Sequence, residues 1–389
     1  MKKYLKVLVC IILLIVTHIF TFVLGAGGFI KVDKDKYTQI AQLEDFVRKH
    51  YLYEVTDKQL LEGELKGVVS GLNDPYSEYY TKEEYDRLMD FTTGKFFGIG
   101  VVITKGEDNL ITVISPIKGS PADVAGVKAG DKILKVADQE FSGDKLQEAS
   151  NLMKGKKGTE IKITLLRKTG ETEDLTIKRD EIRVDTVNSE LIGNIGYVDI
   201  LQFDEMTSKD FEKTLKEFKS KNVEGMILDL RGNPGGVVTS AAEIADLLLP
   251  KGNIVYAETK NGKRDFEFDS DENHYSAPLV VLVNEGSASA SELLSGALKD
   301  YKRATIVGKK TFGKGIVQTA VRFPNGDGIK LTTSEYFLPS GKSIHKLGVE
   351  PDVEVELNKE TKGIGPNFKD TDNQLQKAIE ILQSEINKK

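Results

Sequence analysis

The chain has 389 residues, 39% of them hydrophobic, which is long enough for two or three domains with separate cores. Its formal charge of −6 becomes −9 once Lys2, Lys3 and Lys6 are set aside, and an acidic body excludes a nucleic-acid partner. The single cysteine, Cys10, and four histidines without HExxH or paired Cys/His spacing exclude a disulfide scaffold, a thiol nucleophile beyond the first segment and a zinc site, so chemistry without a cofactor is expected.

In chain order, Lys2, Lys3 and Lys6 precede residues 7–30, which hold no Asp, Glu, Lys or Arg. That length spans a bilayer and predicts an uncleaved single-pass anchor over 1–30, lysines inside and the rest extracytoplasmic; cleavage near Gly25-Ala-Gly-Gly28 would instead release the body. Residues 31–93 read as a helical module, with Ile40, Leu43, Phe46 and Val47, then Leu60, Leu61, Leu65 and Val68, at helical spacing. From Gly94 to about 182 the texture changes to β-rich runs at 96–103, 110–117, 132–137 and 160–167, with one amphipathic helix near 144–154. Residues 183–359 alternate strand and helix: strands at 196–201, 225–230, 278–283 and 304–308 read as continuous apolar runs, which argues a parallel sheet covered on both faces. A hairpin with an Asn325-Gly326 turn follows, and 360–389 close in a charged helix with Leu375, Ala378, Ile379 and Leu382 on one face.

Three glycine-rich loops lie beyond the carboxyl ends of these strands, where open α/β sheets bind ligands. Arg231-Gly-Asn-Pro-Gly-Gly236 can turn backbone amides outward, as an oxyanion hole requires. Asn284-Glu-Gly-Ser-Ala-Ser-Ala-Ser-Glu292 carries three serines at a helix start, where Ser289-x-x-Glu292 fits a capping box and a serine is also placed for attack. VGKKTFGKGIVQ, 307–318, imitates a phosphate loop, but Gly315 stands at the hydroxyl position and the β-forming run IVQTAVRF follows instead of a helix. Lys314 is therefore read as a base, which demands burial to keep the amine neutral; Gly313 and Gly315 allow close packing, and Gln318, four residues along a strand, would share its face. His345 in GKSIHKLGVEPD is the rival base, and neither acid partner nor spacing favours it. Local chemistry does not choose among Ser287, Ser289 and Ser291.

Residues 94–182, through FGIG, SPADVAGVKAGDKILKV and GKKGTEIKITLLR, resemble a PDZ domain. From about Leu72 to Val355 the chain resembles the carboxy-terminal processing peptidases, on LNDPYSEYY, GKFFGIGVVI, LDLRGNPGG, NEGSASASE, KTFGKGIVQ and GVEPDVEV. The resemblance implies an α/β multidomain fold: a crotonase/Clp-protease-like α/β serine protease core with an inserted-in-series PDZ domain, an N-terminal helical module and a transmembrane anchor. It implies Ser289 as nucleophile, Lys314 as general base, Gln318 as its orienting partner, and the amides of Gly235 and Ala290 as oxyanion hole. Phe97, Gly98, Ile99 and Gly100 would receive a carboxyl terminus, giving an endopeptidase for exported proteins with a free apolar tail. Amphipathic helices at both ends of the exported part would pair subunits. The alternatives are a catalytically silent PDZ scaffold at the membrane and a thioester-processing enzyme on the same sheet architecture.

Overall fold

The computed structural model describes residues 34–93 and 95–388, so the anchor expected over 1–30 lies outside the described residues. Among the described residues no helix is long and apolar enough to cross a membrane. The chain divides between Val68 and Val69 into two compact units. The first contains α1 (Lys34–His50) and most of α2 (Asp57–Ser70). Within it Lys49 pairs with Asp45 and Arg48 with Asp57, while Leu43, Phe46, Leu61 and Val68 remain exposed.

The second unit begins with a departure from the expected helical module. Residues Glu78–Tyr80 form β1, too short to announce itself by alternation, and α3 (Lys82–Thr93) follows. Strand β1 pairs with Lys330–Gly328 of the protease portion, and Asp327 accepts hydrogen bonds from the Tyr79 hydroxyl at 2.7 Å and the Lys82 N–H at 2.9 Å. Chain belonging to the catalytic body therefore brackets the PDZ-like region on both sides, so that region is inserted within it.

The inserted region comprises β2 (Lys95–Gly98), β3 (Val101–Lys105), β4 (Ile111–Pro116), the short α4 (Pro121–Val124), β5 (Lys132–Val136), β6 (Gln139–Glu140), α5 (Leu146–Met153), β7 (Glu160–Leu166), β8 (Thr172–Lys178) and β9 (Asp180–Arg183). Its sheet runs β3-β4-β5-β7-β8, and β2 pairs separately with β9. Ile111, Val113, Ile133, Val136, Ile163 and Leu165 fill the core against Ala149 and Met153 of α5. Each buried aliphatic of this size contributes roughly 1.5–3 kcal/mol relative to exposure.

The remaining elements are β10 (Val187–Ile192), β11 (Ile195–Ile200), α6 (Thr207–Ser220), β12 (Gly225–Asp229), α7 (Val238–Asp246), β13 (Gly252–Thr259), β14 (Arg264–Ser270), β15 (Leu279–Val283), α8 (Ala290–Asp300), β16 (Thr305–Gly308), β17 (Ile316–Arg322), β18 (Gly328–Phe337), β19 (Val353–Glu354) and α9 (Asn373–Ile386). The sheet β10-β11-β12-β15-β16-β19 is parallel apart from β10. Both faces are covered, as continuous apolar strands require. Met226, Leu228, Leu279 and Val281 pack with Phe211, Ile244 and Leu293 on one side, whereas Ile227, Val280 and Leu282 meet Leu375, Ala378 and Leu382 of α9 on the other. A second sheet, β1-β18-β13-β14 with β17 on β18, carries the hairpin turning at Asn325-Gly326.

Candidate active site

Strand β12 delivers the loop 231–236 at its carboxyl end, and Arg231 anchors it from beneath. With its side chain wholly buried, the Arg231 guanidinium donates to Asp229 at 2.6 Å, to Asp372 at 2.8 Å and to the Gln374 amide oxygen at 2.9 Å. Tyr197 adds its hydroxyl to Asp229 at 2.7 Å. Burial works to raise the pKa of Asp372, but the guanidinium and the N–H groups of Leu375 and Gly365 carry it below the ordinary value. The start of α9 is thus tied directly to the root of the glycine loop.

Asn233, also fully buried, joins this loop to the serine loop. Its side-chain nitrogen donates to the Ile200 carbonyl at 2.7 Å, and its own carbonyl accepts the Ala288 N–H and the Ser291 hydroxyl, each at 3.0 Å. Its side-chain oxygen accepts the Gly235 N–H at 2.8 Å. One of the two expected oxyanion donors is therefore held by its own loop here. The other, the N–H of Ala290, has no partner among the described residues, because it belongs to the first turn of α8, whose amides lack intrahelical acceptors. Gly235 lies against the nucleophile position: with φ at +98°, a Cβ there would come within 2.8 Å of Ser289 Cβ and 2.9 Å of Ala290 N.

The structure separates the three serines. Ser287 donates its hydroxyl to the Leu230 carbonyl at 2.7 Å and Ser291 to the Asn233 carbonyl, so both serve to hold the loops. Ser289 stands between β15 and α8 with φ 55° and ψ −114°, a conformation costing a non-glycine residue on the order of 1–3 kcal/mol. The expected capping box forms mainly through Glu292, whose carboxylate takes the Ser289 N–H at 2.8 Å. The Glu292 N–H faces the Ser289 carbonyl at 2.9 Å and, within the capping box, the Ser289 side-chain oxygen, while the Ser289 hydroxyl donates to no acceptor among the described residues.

Lys314 follows β16 in a loop that closes only with glycine on either side. A Cβ at Gly315 would meet the His345 backbone nitrogen at 2.5 Å, and Gly313 has φ of +95°. Burial, reinforced by the charge of Lys330, depresses the Lys314 pKa, while Asp74 and Glu292 oppose the shift. The ammonium lies over the ring of Tyr76, 4.6 Å from its centroid, in the attractive range for a cation over an aromatic face. No hydrogen bond joins it to Ser289 or Gln318 among the described residues. The alternation argument for Gln318 does not reach Lys314, which lies in the loop before β17, and the extra residue of the nearby register shift, Thr333, belongs to β18; the Gln318 amide instead approaches the Ile316 carbonyl and the Thr332 hydroxyl. His345 has no carboxylate partner among the described residues, and its Nδ1 is buried without a hydrogen bond.

In the inserted region, the carbonyls of Ile99 and Gly100 are turned inward, accepting from Ala122 N–H at 2.7 Å, Ile117 N–H at 3.0 Å and the Ser120 hydroxyl at 2.8 Å. Trans peptide planes then aim the N–H groups of Gly100 and Val101 the opposite way. Strand β3 is an edge with one free side, and Phe97 is exposed beside it. Gly98 packs against the end of α5, where a Cβ would come within 3.3 Å of the Met153 carbonyl.

Residues 194–355 match the model of Peptidase family S41, residues 112–167 that of the PDZ domain, and residues 29–84 that of the N-terminal domain of the activating protease CtpB. The carboxy-terminal processing protease CtpA of Bacillus subtilis (strain 168) is 37% identical over 366 residues, covering 92% of this chain and 78% of that one. A carboxy-terminal-processing protease of Bartonella bacilliformis is 40% identical over 334 residues, covering 83% and 76%. The solved structure of a photosystem II D1 C-terminal processing protease superposes with a TM-score of 0.50 at 29% identity, covering 83% of this chain and 89% of that one. A serine set at the strained entrance of a helix, glycine loops converging on it and relatedness along nearly the whole length agree: the chain belongs to peptidase family S41, the carboxy-terminal processing proteases, and is a serine-type endopeptidase with a PDZ domain.

Proposed function

We propose that cleavage proceeds through a dyad of Ser289 and Lys314. The observation that carries this reading is that, among the described residues, Ser289 alone of the three loop serines donates its hydroxyl to no backbone carbonyl, and it sits on the strained residue that opens α8. The neutral Lys314 amine takes the hydroxyl proton as Ser289 Oγ bonds to the substrate carbonyl carbon. The oxyanion so formed accepts from the Ala290 N–H, and from the Gly235 N–H once that amide leaves Asn233. The lysine then gives its proton to the departing amine, and water, deprotonated by the same lysine, releases the acyl group from Ser289. Gln318 would orient the amine once its own amide leaves the Ile316 carbonyl and the Thr332 hydroxyl.

The arrangement described above is read as a resting one, since both the Gly235 N–H and the Lys314 amine are engaged elsewhere. We further propose that a substrate's free carboxyl terminus docks at Phe97, Gly98, Ile99 and Gly100 and extends along the open edge of β3, favouring the engaged geometry. The basic, then uncharged amino-terminal sequence supports anchoring in the cell membrane with the body outside, and the exposed apolar side chains of α1 and α2 support self-association.

Purified wild type, Ser289→Ala and Lys314→Ala, each incubated with an unfolded protein and the products mapped by mass, test the dyad. Loss of all cleavage in both variants is expected; full activity in either contradicts it. Membrane fractionation and protease accessibility of intact cells test the anchor.

A further inference from the structure

We propose that Glu292 and Tyr336 are positioning residues that hold nucleophile and base in one rigid frame, an inference that rests on the Ser289–Lys314 reading. Glu292 is completely buried on α8, and its carboxylate accepts four hydrogen bonds. One oxygen takes the Ser289 N–H and the Lys314 N–H, both at 2.8 Å; the other takes the Thr311 hydroxyl at 2.5 Å and the Gly313 N–H at 2.7 Å. Tyr336, equally buried on β18, places its hydroxyl 2.7 Å from the Ser289 carbonyl oxygen and 2.9 Å from that of Lys314. The amides of both residues thus converge on one carboxylate and their carbonyls on one phenol.

Helix capping explains only the first of these bonds. A carboxylate buried with no cation in ion-pair range, among the described residues, is tolerated when its acceptor sites are filled, and here three of the four donors come from the loop that carries the base. Burial, with the Glu292 charge second, pushes the Tyr336 phenol well above its ordinary pKa, so it stays a donor. The Tyr336 N–H also donates to the Gly315 carbonyl at 3.0 Å, so β18 grips the chain on the far side of Lys314 as well. Two consequences follow. The left-handed backbone of Ser289 is held against relaxation, and movement of the base between Tyr76 and Ser289 is confined to the Lys314 side chain. The charged and titratable groups facing that amine are Glu292 from α8, Lys330 from β18, and Asp74 and Tyr76 from the segment before β1.

The test compares full-length wild type, Glu292→Gln, Tyr336→Phe and Ser289→Ala in steady-state cleavage of a peptide with a free apolar carboxyl terminus, with folding checked by circular dichroism. Glu292→Gln retains shape but sets an amide NH2 where two donors converge. Both clamp variants are expected to lose kcat on the order of 10²-fold, the scale of a small misplacement of reacting groups, with KM within about twofold. In Glu292→Gln the acidic limb of the kcat/KM profile should also move to lower pH, because a charge favouring the ammonium form is gone; Tyr336→Phe should leave the limb in place. Loosened packing alone would not move the limb in one variant only. Wild-type kcat in both folded variants, beside an inert Ser289→Ala, overturns the clamp. Should Glu292→Gln not fold, the Tyr336→Phe result decides in the same terms. An active Ser289→Ala overturns instead the dyad beneath it.

Discussion

Adding one methyl group at residue 235 should disable the enzyme more than adding it three residues earlier. Both Gly232 and Gly235 have positive φ, +71° and +98°, so alanine at either meets the left-handed backbone penalty of roughly 1–2 kcal/mol. The surroundings differ. A Cβ at Gly232 touches nothing within 4 Å, whereas at Gly235 it would lie 2.6 Å from the Ala288 carbonyl oxygen, 2.8 Å from Ser289 Cβ and 2.9 Å from the Ala290 nitrogen. Contacts that short force the two loops apart, and the volume they contest is the one a substrate oxyanion would occupy above the Ala290 N–H. Loss of one such donor costs about 2.7–4 kcal/mol, or on the order of 10²–10³ in kcat. Gly235→Ala is therefore expected to lose kcat on that scale with KM little changed, and Gly232→Ala to lose thermal stability without a comparable loss of kcat. Steady-state kinetics on a carboxyl-terminal peptide, beside thermal melts of both variants, decides. Equal losses of kcat in the two would refute the placement of the oxyanion.

Other consequences are equally open to measurement. Arg231→Met strands Asp229 and Asp372 in the interior and should destabilise the chain by about 3–5 kcal/mol in urea unfolding; a loss under about 1 kcal/mol would mean the α9 tether is incidental. Because Lys330 depresses the Lys314 pKa, Lys330→Gln should raise it and displace the acidic limb of kcat/KM to higher pH, while Asp74→Asn, removing a charge that favours the ammonium, should displace it downward. Shifts in the same direction would contradict the assignment of Lys314 as the titrating base. If a carboxyl terminus docks as proposed at the Phe97–Gly100 loop, amidating it would remove charge-assisted bonds and should weaken affinity by about 1.5–3 kcal/mol by calorimetry; unchanged affinity would remove that loop as the docking site.

The parallel core was legible because its strands are apolar throughout and its loops are dense in glycine and serine. Strands β8, β13 and β14 escaped notice: in β8 only Ile177 is buried among charged neighbours, so the signal of an edge strand is thin. The choice of Ser289 was not written locally, since the hydroxyls of Ser287 and Ser291 find acceptors in Leu230 and Asn233, across the fold. The same distance hid the Arg231–Asp372 pair and the role of Tyr336, a strand tyrosine with no flanking motif. Tyr76 stood inside a recognisable stretch, yet only β1 pairing with β18 brings it to Lys314. Gln318 shows the opposite failure, a strand period carried back to Lys314 in the loop before β17.

The central assignment is tested most directly by the rate at which a fluorophosphonate labels the protein as pH is varied, with the modified residue located by mass spectrometry. Label on Ser289 alone is expected, at a rate that rises with pH as Lys314 loses its proton below the ordinary lysine range and that falls by on the order of 10²–10⁴ in Lys314→Ala. Label on Ser287 or Ser291, or a rate indifferent to Lys314, would contradict it.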